Sequence, residues 1–343
     1  MIASTGRIVV YGAGSIGSYI GGRLEGQTPI RYIGRDKALQ SLREHGLTVT
    51  DYRGHQQRTA PAALDLRSEP RAAADAALVL VCVKSAATVD AAQQLASVLK
   101  PGTVVISLQN GLYNADVLRD ALPQCTVLAG MVPFNVVQRA PGVFHQASSG
   151  ELMVASDVRL AAWLAAFANA GLPLELRHDM AAVQRAKLLL NLNNAINALS
   201  DLPLRDELSQ RGWRRCLVLA QREALDVFHQ ARLPVAKLTP VPPSWLPHVL
   251  QLPDALFRRV ASRMLAIDPI ARSSTWDDLK ADRLTEVDYI NGEVVKLAQA
   301  QGRLAPVNAK LCELIHAAER NHRRWTSEEL LEELSEELSE ELS

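Results

Sequence analysis

The hexapeptide Gly12-Ala13-Gly14-Ser15-Ile16-Gly17 restricts what this chain can fold into more than any other feature. An apolar stretch with strand character, Arg7 to Tyr11, leads into it, and a helical pattern begins near Ser15. That context turns a weak G-x-G-x-x-G match into a useful one. In such a unit the first glycine permits the tight turn, the second lets a pyrophosphate approach the backbone, and the third lets the helix pack on the strand. The phosphates then meet the positive end of the helix dipole. Gly12, Ala13, Gly14, Ser15, Ile16 and Gly17 are therefore read as cofactor-binding residues. A glycine-rich turn with no ligand is the plainer alternative, and the flanking strand and helix weigh against it.

At the end of the second strand, about 20 residues past the turn, NAD-selective domains place an acid for the ribose 2′-hydroxyl. This sequence has Gly34-Arg35 there. A guanidinium pairs bidentately with a 2′-phosphate, so Arg35 predicts NADP and, in the reducing direction, NADPH. Asp36 is the competing reading, because it could face the ribose instead.

Further strands are predicted at Ile30 to Ile33, Ala77 to Val83, Thr103 to Leu108 and Val127 to Met131, with helical stretches starting near Ala86 and Tyr113. This alternation marks an α/β fold, an N-terminal Rossmann-type doubly wound parallel sheet. Gly142 to Gln146 and Glu151 to Ala155 are expected to add antiparallel strands at its far edge. From about Met180 the alternation stops and long helices take over, broken by a Pro-rich stretch from Pro234 to Pro253. The expected organisation is an NADP-binding domain over 1–178, a second, all-helical C-terminal domain over 179–325, and an acidic tail over 326–343. The tail repeats Ser-Glu-Glu-Leu, and leucines four apart drift round a helix. It reads as a lone amphipathic helix or a frayed, solvated extension, with the extension preferred.

With 343 residues, 48% of them hydrophobic, the chain can bury a large core. Its formal charge of zero hides an asymmetry: the last 17 residues hold eight of the 37 acidic residues and no basic one. Without them 37 basic residues face 29 acidic ones, a balance suited to anionic small ligands. The basic residues are scattered and no aromatic-rich basic module appears, so no nucleic-acid partner is expected. Cys82, Cys125, Cys216 and Cys312 lie far apart with no C-x-x-C pair, which fits a reducing compartment. His145, His178, His229, His248, His316 and His322 carry no metal-ligand pattern. The longest apolar run, Ala76 to Val83, falls far short of the roughly 20 residues of a membrane span. Arg7 and one short strand make no signal peptide either, so a cytoplasmic protein is expected.

The most informative segment of the second half runs from Lys187 to Leu199. At helical spacing Lys187, Asn191 and Asn194 stand at i, i+4 and i+7 on one face, while leucines cover most of the rest. A lysine on so apolar a helix is partly desolvated, which lowers its pKa and suits it as a general acid for the alkoxide formed when hydride attacks a ketone. The asparagines can bind substrate oxygens. A lysine that snorkels to solvent beside backbone-capping asparagines is the alternative. Glu286, in Thr285 to Gly292 at the apparent start of another amphipathic helix, is a candidate acidic partner; a first-turn glutamate facing the helix dipole is the simpler reading.

Taken in order, Gly12 to Gly17, Arg35, Val83-Lys84-Ser85, Gln109-Asn110-Gly111, Lys187-Leu188 with Asn191, Ser273-Ser274 and Thr285 to Gly292 resemble the ketopantoate reductase (2-dehydropantoate 2-reductase) family. The resemblance runs from near residue 8 to about residue 320. It implies that Lys187 is the catalytic lysine, and that Glu286 is the active-site glutamate in contact with the cofactor, the lysine or a substrate hydroxyl. It implies that Asn110 lies close to both nicotinamide and substrate, that Lys84 lies on the cofactor side, and that Val136 offers the cofactor a backbone contact. Asn191 and Ser274 fall at substrate-binding positions, and Asn194 joins them through its helical register with Lys187. Two asparagines frequent in the family are replaced here by Ala195 and Arg205, at positions expected to read the substrate's hydroxyl end.

The implied reaction is hydride transfer from C4 of NADPH to the C2 carbonyl of ketopantoate, with Lys187 protonating the developing alkoxide, as in pantothenate and coenzyme A biosynthesis. A reductase of another small 2-oxo acid and a non-catalytic NADP-binding regulatory protein are the competing readings. The resemblance allows either a monomer or a homodimer.

Overall fold

The computed structural model describes residues 6–260, 270–321 and 323–341, so His322 and the last two residues of the tail lie outside the described residues. The chain divides into two compact units, Met1–Met180 and Ala181–Ser343. The first carries strands β1 (Arg7–Tyr11), β2 (Ile30–Ile33), β3 (Leu47–Asp51), β4 (Gln56–Thr59), β5 (Asp65–Arg67), β6 (Ala76–Val81), β7 (Val104–Ser107), β8 (Thr126–Met131), β9 (Val136–Ala140), β10 (Val143–Gln146), β11 (Leu152–Ala155) and β12 (Leu174–Arg177). Its helices are α1 (Ser15–Leu24), α2 (Asp36–His45), α3 (Thr88–Ala96), α4 (Asn114–Ala121) and α5 (Ala161–Asn169).

Eight strands form one sheet in the order β12-β11-β8-β7-β6-β1-β2-β5, parallel from β8 through to β5. Near-continuous apolar strands such as β6, Ala-Ala-Leu-Val-Leu-Val, are buried on both faces, as a parallel sheet covered by helices requires. This is the Rossmann-type sheet expected from the glycine turn. Of the two strands placed at the far edge, Leu152–Ala155 does pair antiparallel with β8. The other, β10, leaves for a second sheet, β4-β3-β10-β9.

The need to cover α1 accounts for that second sheet. Every residue of α1 from Gly17 to Leu24 is buried, so the helix needs a layer on each side. A Cβ on Gly21 would come within 2.5 Å of Tyr32 on β2, and one on Gly22 within 2.6 Å of Val49 on β3. The glycine pair lets both sheets close on one helix. Polar groups are paired across this layer: Tyr19 donates to Gln146 Oε1 at 2.6 Å, and Arg23 reaches Asp51 at 3.1 Å and the Ala170 carbonyl at 3.0 Å.

The second unit is helical: α6 (Met180–Asn191, starting on the last residue of the first unit), α7 (Asn193–Ser200), α8 (Leu204–Ser209), α9 (Arg211–Gln230), α10 (Leu246–Leu250), α11 (Asp254–Val260), α12 (Ser274–Lys280), α13 (Asn291–Gln299), α14 (Pro306–Ala318) and α15 (Ser327–Glu341). Arg214 on α9 is wholly buried and ties down the Pro-rich stretch. Its guanidinium donates to the Leu250 and Leu252 carbonyls at 2.8 and 2.7 Å and pairs with Asp254 at 2.8 Å.

Two expectations fail in this unit. The single helix predicted through Lys187, Asn191 and Asn194 is interrupted at Leu192, so the first two side chains belong to α6 and the third to α7. The tail is no solvated extension. Leu330 and Leu334 are fully buried, and Lys310 on α14 pairs with Glu333 and Glu337 at 3.3 and 2.7 Å. A capping box starts the helix: Thr326 N–H donates to Glu329 Oε2 at 2.8 Å, and Glu329 N–H donates to Thr326 Oγ1 at 3.2 Å. Gly212 makes room for it, since a Cβ there would lie 2.2 Å from Ser327 Oγ.

Candidate active site

In the first unit the strand order reverses at β1, with β6 on one side and β2 on the other, and ligands of open α/β sheets bind at the carboxyl ends of strands beside such a point. The sequence-predicted residues Gly12 to Gly17, Arg35, Lys84 and Asn110 follow the carboxyl ends of β1, β2, β6 and β7.

The turn after β1 has the shape a pyrophosphate needs. Gly12 has φ +113°, its N–H donates to the Ile33 carbonyl at 2.8 Å, and a Cβ would meet Val83 N at 2.6 Å. A Cβ on Gly17 would sit 2.1 Å from the Gly12 carbonyl oxygen, so only glycine lets α1 start this close to β1. Gly14, the N-cap of α1, has open space where its Cβ would be. No acidic residue stands in the first turn, so the first amides of α1 are left to an anion. The turn therefore fits a dinucleotide. Arg35 caps α2 with an exposed side chain and no acid at its own position, as a 2′-phosphate partner should. Asp36 is equally exposed, in the first turn of α2, where its charge also suits the helix dipole.

Lys84 lies three residues past β6 and is partly exposed; its carbonyl accepts from Ala87 N–H at 2.8 Å. The loop carrying Asn110 is fixed by a network that sequence reading passed over. Ser85 Oγ donates to the Asn110 carbonyl at 2.9 Å, and Asn114 Nδ2 donates to the same oxygen and to Ser85 Oγ. Thr88 Oγ1 accepts from Gln109 Nε2 at 2.7 Å and donates to Asn114 Oδ1 at 2.6 Å. Ser85 and Gln109 were visible as neighbours of Lys84 and Asn110; Thr88 and Asn114 carried no signal of their own. Val136 opens β9 of the second sheet, opposite Gln146.

In the second unit Lys187 lies in the last turns of α6, between buried Ala186 and Leu188, with Asn191 one turn on. Its side chain is partly buried, and desolvation pushes the ammonium down to about 8. No carboxylate pairs with it among the described residues, so the acidic partner expected in Glu286 does not account for this shift. Glu286 itself precedes a 3-10 turn, Val287–Tyr289, and α13 begins only at Asn291, so it is not a first-turn glutamate of that helix. Its carbonyl accepts from Tyr289 N–H at 2.9 Å, and the neighbouring Thr285 is held by Glu319 at 2.8 Å through both N–H and hydroxyl.

Asn194 and Ser274, far apart in sequence, are brought together: Asn194 Nδ2 lies 3.5 Å from Ser274 Oγ. Ser273 sets this contact. It caps α12 by accepting from Trp276 N–H at 3.2 Å and donates its hydroxyl to the Asn194 carbonyl at 2.9 Å. Ala195 is buried, and Asn197 turns inward, so neither presents a side chain to solvent at the replaced asparagine position.

Comparisons with known proteins accord with this geometry. Residues 8–157 match the family model described as Ketopantoate reductase PanE/ApbA, and residues 179–319 match that of its C terminal. A 2-dehydropantoate 2-reductase of Halobacterium salinarum is 33% identical over 326 residues, which is 92% of this chain and 99% of that protein. The crystal structure of a PanE/ApbA family ketopantoate reductase from Ralstonia eutropha JMP134 matches with a TM-score of 0.78 at 28% identity, covering 92% of this chain and 99% of that one. A D-mandelate dehydrogenase in complex with NADH and anilino(oxo)acetate shares the fold, with a TM-score of 0.75 at 20% identity over 92% and 98% of the two chains.

Proposed function

This chain belongs to the ketopantoate reductase family, and on that premise we propose that it reduces 2-dehydropantoate to pantoate with NADPH, Lys187 giving the proton. It is an NADPH-dependent oxidoreductase, and the reaction supplies pantoate for pantothenate and coenzyme A biosynthesis. The observation that carries the residue assignment is the desolvated ammonium of Lys187 beside Asn191.

Gly12 to Gly17 hold the pyrophosphate by backbone amides, Arg35 holds the 2′-phosphate, and Lys84, Asn110, Val136 and Glu286 complete the cofactor contacts. Bound NADPH supplies the hydride to C2 of the keto acid. As charge develops on the C2 oxygen, Lys187 Nζ donates a proton to it and becomes a neutral amine. An ammonium brought down to about 8 gives up its proton more readily than a solvated lysine, yet is still charged at pH 7. Asn191, Asn194 and Ser274 bind the substrate's oxygens, Ser274 on the carboxylate side, and Asn110 contacts cofactor and substrate alike. Glu286 is the second catalytic residue, acting on the cofactor, the lysine or a substrate hydroxyl.

In this division of labour residues 1–178 supply most of the NADP contacts, and 179–325 supply the proton donor and most of the substrate contacts. No helix among the described residues is long and apolar enough to cross a membrane. The four cysteines are free thiols, which suits the cytoplasmic location we propose. A homodimer is the assembly to look for by light scattering, and no nucleic-acid partner is proposed.

The test follows NADPH absorbance with purified protein and 2-dehydropantoate, repeated with NADH. Rapid oxidation of NADPH and slow oxidation of NADH are expected. Tight NADPH binding without turnover would reject the substrate.

A further inference from the structure

Glu207 on α8 is wholly buried, and no cation pairs with it among the described residues. Arg214, the nearby buried guanidinium, directs its donors to the carbonyls of Leu208, Leu250 and Leu252 and to Asp254. Glu207 is instead held by two amides of α7. Its Oε2 accepts from Asn197 Nδ2 at 2.6 Å and from Asn193 Nδ2 at 3.3 Å. Its Oε1 has no partner, and neither does Asn193 Oδ1, also buried.

An ionised carboxylate only accepts, so it would leave both oxygens orphaned and a bare charge inside the unit. A protonated carboxyl also donates, and the Asn193 amide beside it carries the acceptor that lacks a donor. Burial acts the same way, pushing this acid up to about 8.

The network continues toward the substrate groups. Asn197 Oδ1 accepts from Ser273 N–H at 2.8 Å, and Asn197 Nδ2 also donates to the Leu202 carbonyl at 3.0 Å. Ser273 in turn bonds the Asn194 carbonyl and caps the helix that Ser274 opens. We propose that Glu207 is a positioning residue: held as a neutral acid, it clamps Asn193 and Asn197, and through Asn197 and Ser273 it seats Ser274 against Asn194. The proposal rests on the reading of Asn194 and Ser274 as substrate-binding groups.

Glu207→Gln and Glu207→Leu in the full chain test it, by steady-state kinetics and by hydrogen exchange at the Ser273 and Trp276 amides. The glutamine keeps a neutral donor and acceptor, so KM for the keto acid stays within about twofold of wild type. The leucine removes both, so that KM rises roughly tenfold while KM for NADPH holds. Exchange at the two amides speeds up in Glu207→Leu, not in Glu207→Gln, and amides of β1 are unchanged in both. A glutamine variant as damaged as the leucine variant would overturn the proposal by showing that the charge is needed. So would a leucine variant with unchanged KM and exchange. If wild type does not turn over the keto acid, the substrate reading has failed, and the exchange comparison still decides the role of Glu207. Should Glu207→Leu not fold, infrared difference spectra of wild type against Glu207→Gln at pH 7 decide instead: a protonated carboxyl stretch present only in wild type supports the clamp, and its absence overturns it.

Discussion

The glycine turn of the first unit offers a ligand backbone amides, whereas the Lys187 region of the second offers side chains whose state depends on burial. The signal of the turn is local: Gly12 at φ +113° and Gly17 against the Gly12 carbonyl act within six residues, so the motif is written in adjacent letters. Lys187, by contrast, owes its lowered pKa to burial, and Ser274 owes its seat to Asn194, 80 positions away. Substitutions should therefore act on the cofactor in the first unit and on turnover or substrate in the second.

The largest expected effect is on Lys187. Lys187→Ala should lower kcat by about 100- to 10,000-fold with NADPH binding intact, read by NADPH oxidation beside fluorescence titration of the cofactor. Loss of NADPH binding in that variant would break the division between the units. Next comes Leu334→Asp, which places a charge at a fully buried site of α15 and should destabilise the second unit by about 3 kcal/mol or more. Thermal unfolding reads it as a lower Tm, and an unchanged Tm would restore the tail as a solvated extension. Arg35→Ala should raise KM for NADPH about 10- to 100-fold and leave KM for NADH unchanged, since only the 2′-phosphate contact is lost. An equal change for both cofactors would assign the discrimination elsewhere. The smallest effect is expected of Ser274→Ala, about a fivefold rise in KM for the keto acid with kcat nearly preserved.

Much of the fold was legible because its signals are short in range. The strands next to the glycine turn are continuous apolar runs, and β1, β2, β6, β7 and β8 stand within two residues of their expected positions. The second sheet was not legible: Gln56–Thr59 is polar and half exposed, and β10 joins it only because α1 needs a cover on its second face. The tail was misjudged because its charge dominates the composition while two leucines, Leu330 and Leu334, decide its packing. Thr326 and Glu329 did spell a capping box and could have warned of a well-formed helix. Within the proposed site, the one-turn spacing of Lys187 and Asn191 could be read from sequence, whereas the break at Leu192 and the contacts of Ser273 could not.

The pH dependence of kcat for reduction, in wild type and Lys187→Ala, tests the central claim most directly. Lys187 acts as an acid, so its protonated form is the active one, and with a pKa of about 8 activity should be full below that pH and fall about tenfold per unit above it. The alanine variant should be slow and lack this fall. A variant that keeps wild-type kcat, or one that is slow yet shows the same fall near pH 8, would contradict Lys187 as the proton donor.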